Sequence, residues 1–168
     1  MKIRRIDAST DLEVFKDIRV ESARDAPESF RATEEEMESE PIDSFRKQLT
    51  GQAGKLIFIG AFEGSALVGV AALYFDKSQK LSHKATVGSV FVKRTHRGRT
   101  IGKMLMTELL RIGREEEKLH QVDLTVNVAN TVAIDLYQNL GFKIFGTEKN
   151  AAIVDGKSYD EHHMQLFF

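Results

Sequence analysis

The sequence predicts an α+β fold with strands at its centre and helices outside, and three observations predict it. Two continuous apolar runs, Leu56–Phe62 and Leu67–Phe75, flank a short turn at Glu63-Gly64, as the strands of a buried hairpin would. From Ile101 the period changes: Ile101, Leu105, Leu109 and Ile112 fall four, four and three apart, which is helical spacing. A β-type segment returns at Gln121–Val126, and a second helical stretch runs from Asn130 to Gly141.

The remaining elements follow in chain order. Lys2–Ile6 reads as a short strand, and Leu12, Phe15, Ile18 and Arg19 line one face of a helix. A further helix is expected over Thr33–Leu49. Thr33 and Glu36 are spaced as a capping box, Glu34 to Glu40 make its first half acidic, and Pro41 splits or bends it. Ala85–Val92 is a strand with Gly88-Ser89 in its middle, where a bulge or a close backbone approach is expected. The helix Ile101–Lys118 is interrupted only at Gly113. Asn130 occupies the N-cap of the next helix, Ala133, Leu136, Tyr137 and Leu140 share one face, and Gly141 ends it. Strands at Phe142–Glu148 and Tyr159–Leu166 finish the chain. No repeat, low-complexity tract or Pro/Gly linker divides it, so residues 1–168 are expected to form one domain.

Composition narrows the chemistry. With no cysteine, disulfides, thiolate metal sites and a cysteine nucleophile are excluded, and no metal site is expected. The 24 basic and 25 acidic side chains nearly cancel, which argues against general binding to nucleic acid or to a membrane surface. No run approaches the roughly 18 to 20 apolar residues of a membrane span, and the first residues lack the apolar centre of a secretory signal. A soluble, cytoplasmic protein is the expectation.

Charge is nonetheless concentrated in one place. Val90 to Lys103 runs from a strand through a basic turn into a helix, and Lys93, Arg94, Arg97, Arg99 and Lys103 stand there without an acid among residues 93 to 103. A helix start offers unpaired N–H groups, and Gly98 and Gly102 let an anion approach them. Other phosphate motifs fail on spacing. Three residues, not four, separate Gly98 from Gly102 and Met104 follows Lys103, so this is no Walker loop, and no G-x-G-x-x-G occurs.

Arg97-Gly98-Arg99-Thr100-Ile101-Gly102 resembles the pyrophosphate motif of the GNAT acetyltransferases, Arg/Gln-x-x-Gly-x-Gly/Ala after the fourth strand. Asn130-Thr131-Val132-Ala133-Ile134-Asp135-Leu136-Tyr137-Gln138-Asn139-Leu140-Gly141-Phe142 is similar to a second block of that family, Asn-x-x-Ala-x-x-Leu-Tyr-x-x-x-Gly-Phe. One position departs: the family's central glycine is Thr100. A β-branched residue disfavours positive φ, so the turn either holds negative φ there or bears strain, and the hydroxyl becomes available to a phosphate oxygen.

The resemblance implies a three-layer fold, with a mixed, mostly antiparallel sheet of about seven strands flanked by about four helices. It implies an acetyl-CoA-dependent N-acetyltransferase acting on a primary amine of a small molecule or peptide. Acetyl-CoA, the co-substrate, would lie where strands 85–92 and 121–126 splay apart. Its diphosphate would rest on Arg97, Gly98, Arg99, Thr100, Ile101, Gly102 and Lys103, and its pantetheine arm on the main chain of Val90, Phe91 and Val92. Asn130 would also contact it, and Tyr137 would donate to the departing sulfur. The general base is not legible: Lys84–Val92 contains no acid, and His83 and His120 are candidates by pKa alone. The acidic stretch Glu34–Asp43 could draw a cationic amine or be a solvated face. A homodimer is compatible with the resemblance, and the rival class is a non-catalytic CoA-binding or protein-interaction module.

Overall fold

The computed structural model describes residues 1–168. Seven strands, β1 (Lys2–Arg5), β2 (Leu56–Glu63), β3 (Ala66–Phe75), β4 (Lys84–Val92), β5 (Gln121–Asn127), β6 (Lys143–Val154) and β7 (Lys157–Phe167), form one sheet in the order β1-β2-β3-β4-β5-β7-β6. Every neighbouring pair is antiparallel except β4 and β5, which run parallel. Five helices, α1 (Leu12–Asp25), α2 (Glu34–Ser39), α3 (Ile42–Leu49), α4 (Ile101–Arg111) and α5 (Thr131–Asn139), cover its two faces.

The continuous apolar runs of β2 and β3 follow from burial on both sides. Along β2, Ile57, Ile59 and Ala61 enter a core shared with Ile101, Leu105, Met106 and Leu109 of α4. The alternate residues Phe58 and Phe62 enter a second core with Phe15 and Ile18 of α1 and Phe45 of α3. The sheet is thus the middle of three layers, with α1 and α3 on one face and α4 and α5 on the other.

The segment read as one helix over 33–49 is two. Thr33 and Glu36 form the reciprocal capping box, α2 stops at Ser39, and Pro41 starts α3, which makes five helices where about four were expected. The next helix is regular only to Arg111. Ile112–Glu116 widens into a π turn, with Glu117 N–H donating to Ile112 O at 3.0 Å, and Gly113 lies within it. The last two strands are longer than the sequence reading gave them. Asp155 and Gly156, with φ of 49° and 76°, make a two-residue turn of the mirror-image type, so pairing continues up to Val154 and Lys157.

Candidate functional site

β4 and β5 are paired for only three residues, Lys84–Thr86 against Gln121–Asp123. Beyond them Val87–Val92 has no partner on that side, while β5 stays paired with β7 as far as Asn127. A wedge therefore opens inside the sheet. Lys93 N–H donates to Val68 O at 3.0 Å and Phe91 pairs with Val70. By alternation the main-chain groups of Val90 and Val92 turn to the open side. Their side chains pack against the α4 core, whereas the Phe91 ring enters the α1 core, edge-on to Phe30 at 6.2 Å.

A bulge sets this register. Val70 opposes Phe91 and Ala72 opposes Gly88, so Ser89 and Val90 together face Ala71. Ser89 takes φ 53° and its hydroxyl lies 2.5 Å from Tyr74 Oη. A Cβ on Gly88 would stand 2.9 Å from the Tyr74 ring, so the glycine is what lets that ring close over the bulge.

The basic turn stands at the open end of the wedge. A single 3₁₀ turn, Arg94–His96, leads to Gly98 at φ 76° and Thr100 at φ 60° and ψ 9°, and α4 begins at Ile101. From Gly98 to Lys103, six successive N–H groups donate to no acceptor within the chain. Left-handed residues with free N–H groups at a helix start are the features of an anion nest. A Cβ on Gly98 would meet nothing within 4 Å, so space lies open beside the turn.

Thr100 adopts the strained alternative of the two that its sequence left open. Its hydroxyl donates to Arg99 O at 2.7 Å, which turns it toward its own turn rather than a phosphate. The basic side chains are partly neutralised by acids remote in sequence. Lys93 pairs with Glu21 at 3.0 Å, Arg94 with Asp25 at 3.1 Å, and Arg99 with Glu63 at 2.9 Å. Arg99, and after it His96, hold the Glu63 carboxyl below the ordinary range. Arg97 Nε donates to Val92 O at 2.9 Å, and Lys103 has no acidic partner. Five cations against three carboxylates leave the turn an excess of two positive charges.

Two side chains of the second block differ in circumstance. Asn130 caps α5, its Oδ1 accepting from Ala133 N–H at 3.1 Å. Tyr137, only 6% exposed, belongs to the core that Val90 and Val92 pack against. Burial pushes its phenol up to about 12. His83 and His120 meet where β4 and β5 are paired, their rings 6.4 Å apart. Six residues of β4 lie between His83 and Val90, a span on the order of 20 Å, so His83 stands at the far end of the strand from Val90. Glu34, in the acidic stretch, pairs with Arg24.

The sequence matches the Acetyltransferase (GNAT) family over residues 16–142. The chain belongs to that family. A relative in Escherichia coli strain K12, L-amino acid N-acetyltransferase AaaT, is 27% identical over 120 residues, 71% of this chain and 73% of that protein. A GNAT-family acetyltransferase of Streptococcus pneumoniae superposes with a TM-score of 0.90 at 20% identity, covering 99% of both chains. The yncA acetyltransferase of Salmonella typhimurium, solved with its cofactor acetyl-CoA, superposes with a TM-score of 0.85 at 19% identity over 99% of this chain and 93% of that one. As a GNAT member the chain is an acyltransferase that moves the acetyl group of acetyl-CoA, its co-substrate, to an amine.

The residues present fit that co-substrate. Free N–H donors with a positive excess match a diphosphate, and an unpaired strand edge matches an amide-bearing arm. When bound, the thioester would supply the activated acetyl group, and the protein's part is to position it. With the phenol near 12 and a thiol near 8.5, complete proton transfer from Tyr137 runs uphill by about 5 kcal/mol. Burial thus makes the Tyr137 phenol a poor acid.

Sequence reasoning missed three features of this region. The Tyr74–Ser89 pair is one, and the others are two buried side chains with unpartnered nitrogens, Arg19 at Nε and Nη1 and Asn127 at Nδ2. The signal for Arg19 was a cation on the apolar face of its helix.

Proposed function

We propose that residues 1–168 act as one acetyltransferase domain with acetyl-CoA in the wedge between β4 and β5. The N–H groups of Gly98, Arg99, Thr100, Ile101, Gly102 and Lys103 hold the diphosphate, with Arg97, Arg99 and Lys103 supplying charge. The main chain of Val90 and Val92 pairs with the pantetheine arm, while Phe91 anchors the strand from the opposite core. Arg97 fixes the mouth of the wedge through Val92 O. Asn130 starts α5 with its Oδ1 and keeps its amide nitrogen for the cofactor. Tyr137 donates to the sulfur as negative charge develops there. No carboxylate stands on β4, so the amine loses its proton to ordered water or to a carboxylate from another element.

The observation that carries this reading is the run of six unpaired N–H groups at the mouth of an unpaired strand edge. The acceptor is a primary amine of a small molecule or of a peptide. The near-neutral charge supports a protein that binds neither nucleic acid nor a membrane surface. A homodimer is part of this reading, which sedimentation tests. Calorimetry with CoA and acetyl-CoA, followed by thiol release against a panel of amines, tests the site. Micromolar affinity and amine-dependent release are expected. Binding without release for any amine would instead favour the non-catalytic module.

A further inference from the structure

Arg19 of α1 is 7% exposed, and its Nε and Nη1 are sealed from solvent with no hydrogen-bond partner. It has no carboxylate within ion-pair distance. A guanidinium has five N–H donors and keeps its charge, so such a group normally ends opposite an anion. The Phe15 and Phe58 rings lie 5.8 and 5.4 Å from its central carbon. They offer no acceptor to its N–H groups, and cation–π attraction is smaller than the cost of stripping an ion of water. The fold thus holds a desolvated cation that lacks an anion.

A relay of aromatic contacts links it to the wedge. Phe58 stands edge-on to Tyr74 at 5.9 Å, and Tyr74 binds Ser89 of the bulge from which β4 runs open. Asn127, at the end of β5 on the other wall of the wedge, is 3% exposed. Its Oδ1 accepts from Ala129 N–H at 2.8 Å, leaving Nδ2 buried without a partner. Val122, Leu124 and Val126 of β5 enter the α4 core, so by alternation Asn127 faces the α1 layer, as Arg19 does. Every group missing a partner on this face is a donor. A ligand portion that only accepts hydrogen bonds, and carries negative charge, is what the Arg19 guanidinium lacks.

We propose that Arg19 binds a carboxylate of the amine acceptor, so that the substrate class is amino acids and other carboxylate-bearing amines. This rests on the acetyl-transfer reading above, with the guanidinium donating its unpartnered N–H groups to the carboxylate.

The test compares each common L-amino acid with the amine that lacks its carboxylate, for example L-phenylalanine with phenethylamine, in the wild type, Arg19→Met and Arg19→Lys. The wild type prefers the carboxylate-bearing member. Arg19→Met raises KM for amino acids on the order of a hundredfold and changes KM for the plain amines less than threefold, with Arg19→Lys intermediate. Amino acids raise the Tm of the wild type and not that of Arg19→Met, whose own ligand-free Tm is equal or higher because an unpaired buried charge is gone. Should Arg19→Met not fold, the Arg19→Lys comparison decides. Equal use of both members of every pair, or an unchanged preference in both variants, overturns the assignment while leaving acetyl transfer standing. Absence of coenzyme binding would instead remove the acetyl-transfer reading and this proposal with it.

Discussion

Thr100 is a β-branched residue held at φ 60°, and replacing it with glycine is expected to stabilise the protein. Relief of the left-handed conformation is worth about 2 kcal/mol. Against this stand the exposed hydroxyl bond to Arg99 O, about 0.5 kcal/mol, and the extra freedom of an unfolded glycine, about 0.7 kcal/mol. The balance is about 1 kcal/mol in favour of Thr100→Gly, a rise in Tm of about 3 °C for a chain of this length. Thr100→Val keeps the strain and loses the hydroxyl, so it should fall below the wild type by about 0.5 kcal/mol. Urea denaturation at constant m-value measures both. Because the binding groups are main-chain N–H donors, both variants should keep CoA affinity within about threefold. A Thr100→Gly protein less stable than the wild type would refute the strain argument, and a large loss of affinity would show that the hydroxyl is a ligand.

In Gly102→Ala the added Cβ would stand 3.4 Å from Leu136 Cδ2, an ordinary contact, so Tm should hold. The methyl meets α5 and leaves the free N–H groups open, as the Gly/Ala position of the motif implies, so calorimetry should find CoA affinity within about threefold of the wild type. Tyr137→Phe should lower kcat by about 10- to 100-fold, the value of one hydrogen bond to a developing charge, with the KM for acetyl-CoA little changed. With the phenol up to about 12, the pH–rate profile should have no tyrosine limb below pH 10, and Tyr137→Phe should leave its shape intact. Asp11, 5% exposed, accepts from Arg4 Nη2 at 2.9 Å and from Asp7 N–H at 2.8 Å, and chiefly the Arg4 bond holds its carboxyl below the ordinary range. A depressed folded-state pKa stabilises above the unfolded value near 4 and is lost as pH falls through the folded one. Asp11→Ala should therefore cost about 2 kcal/mol at pH 7, and its stability should fall less steeply in acid, as urea midpoints at several pH values would show.

Local signals carried most of the fold. Leu56–Phe75 declared a buried hairpin because both its faces are covered, and Pro41 marked the break between α2 and α3. Asp155-Gly156 is as plain a turn signal as any in the chain, yet the exposed, polar residues around it hide the strands it joins. At the site, the glycines and cations of the turn were legible. Their partners were not, because Glu21, Asp25 and Glu63 lie 36 to 72 residues from the cations they pair with and reach the turn only through the packing of α1 and β2. The sign of φ at Thr100 was undecided for a related reason: local preference opposed it, and the joint between strand and helix prevailed. Arg19 entered the sequence reading as one more residue on an amphipathic face. Only three-dimensional neighbours reveal a charge whose counterpart is missing.

Three rungs of parallel ladder join the β1–β4 meander to the β5–β7 unit. A seven-stranded sheet with so short a seam is mechanically two plates, coupled chiefly by the α4 core that spans them. Slow breathing should concentrate along that seam, and a guest lodged in it acts as a fourth fastening. Occupancy would then be written into the exchange of amide hydrogens along Val87–Val92 and Leu124–Asn127, far more than into the outer strands.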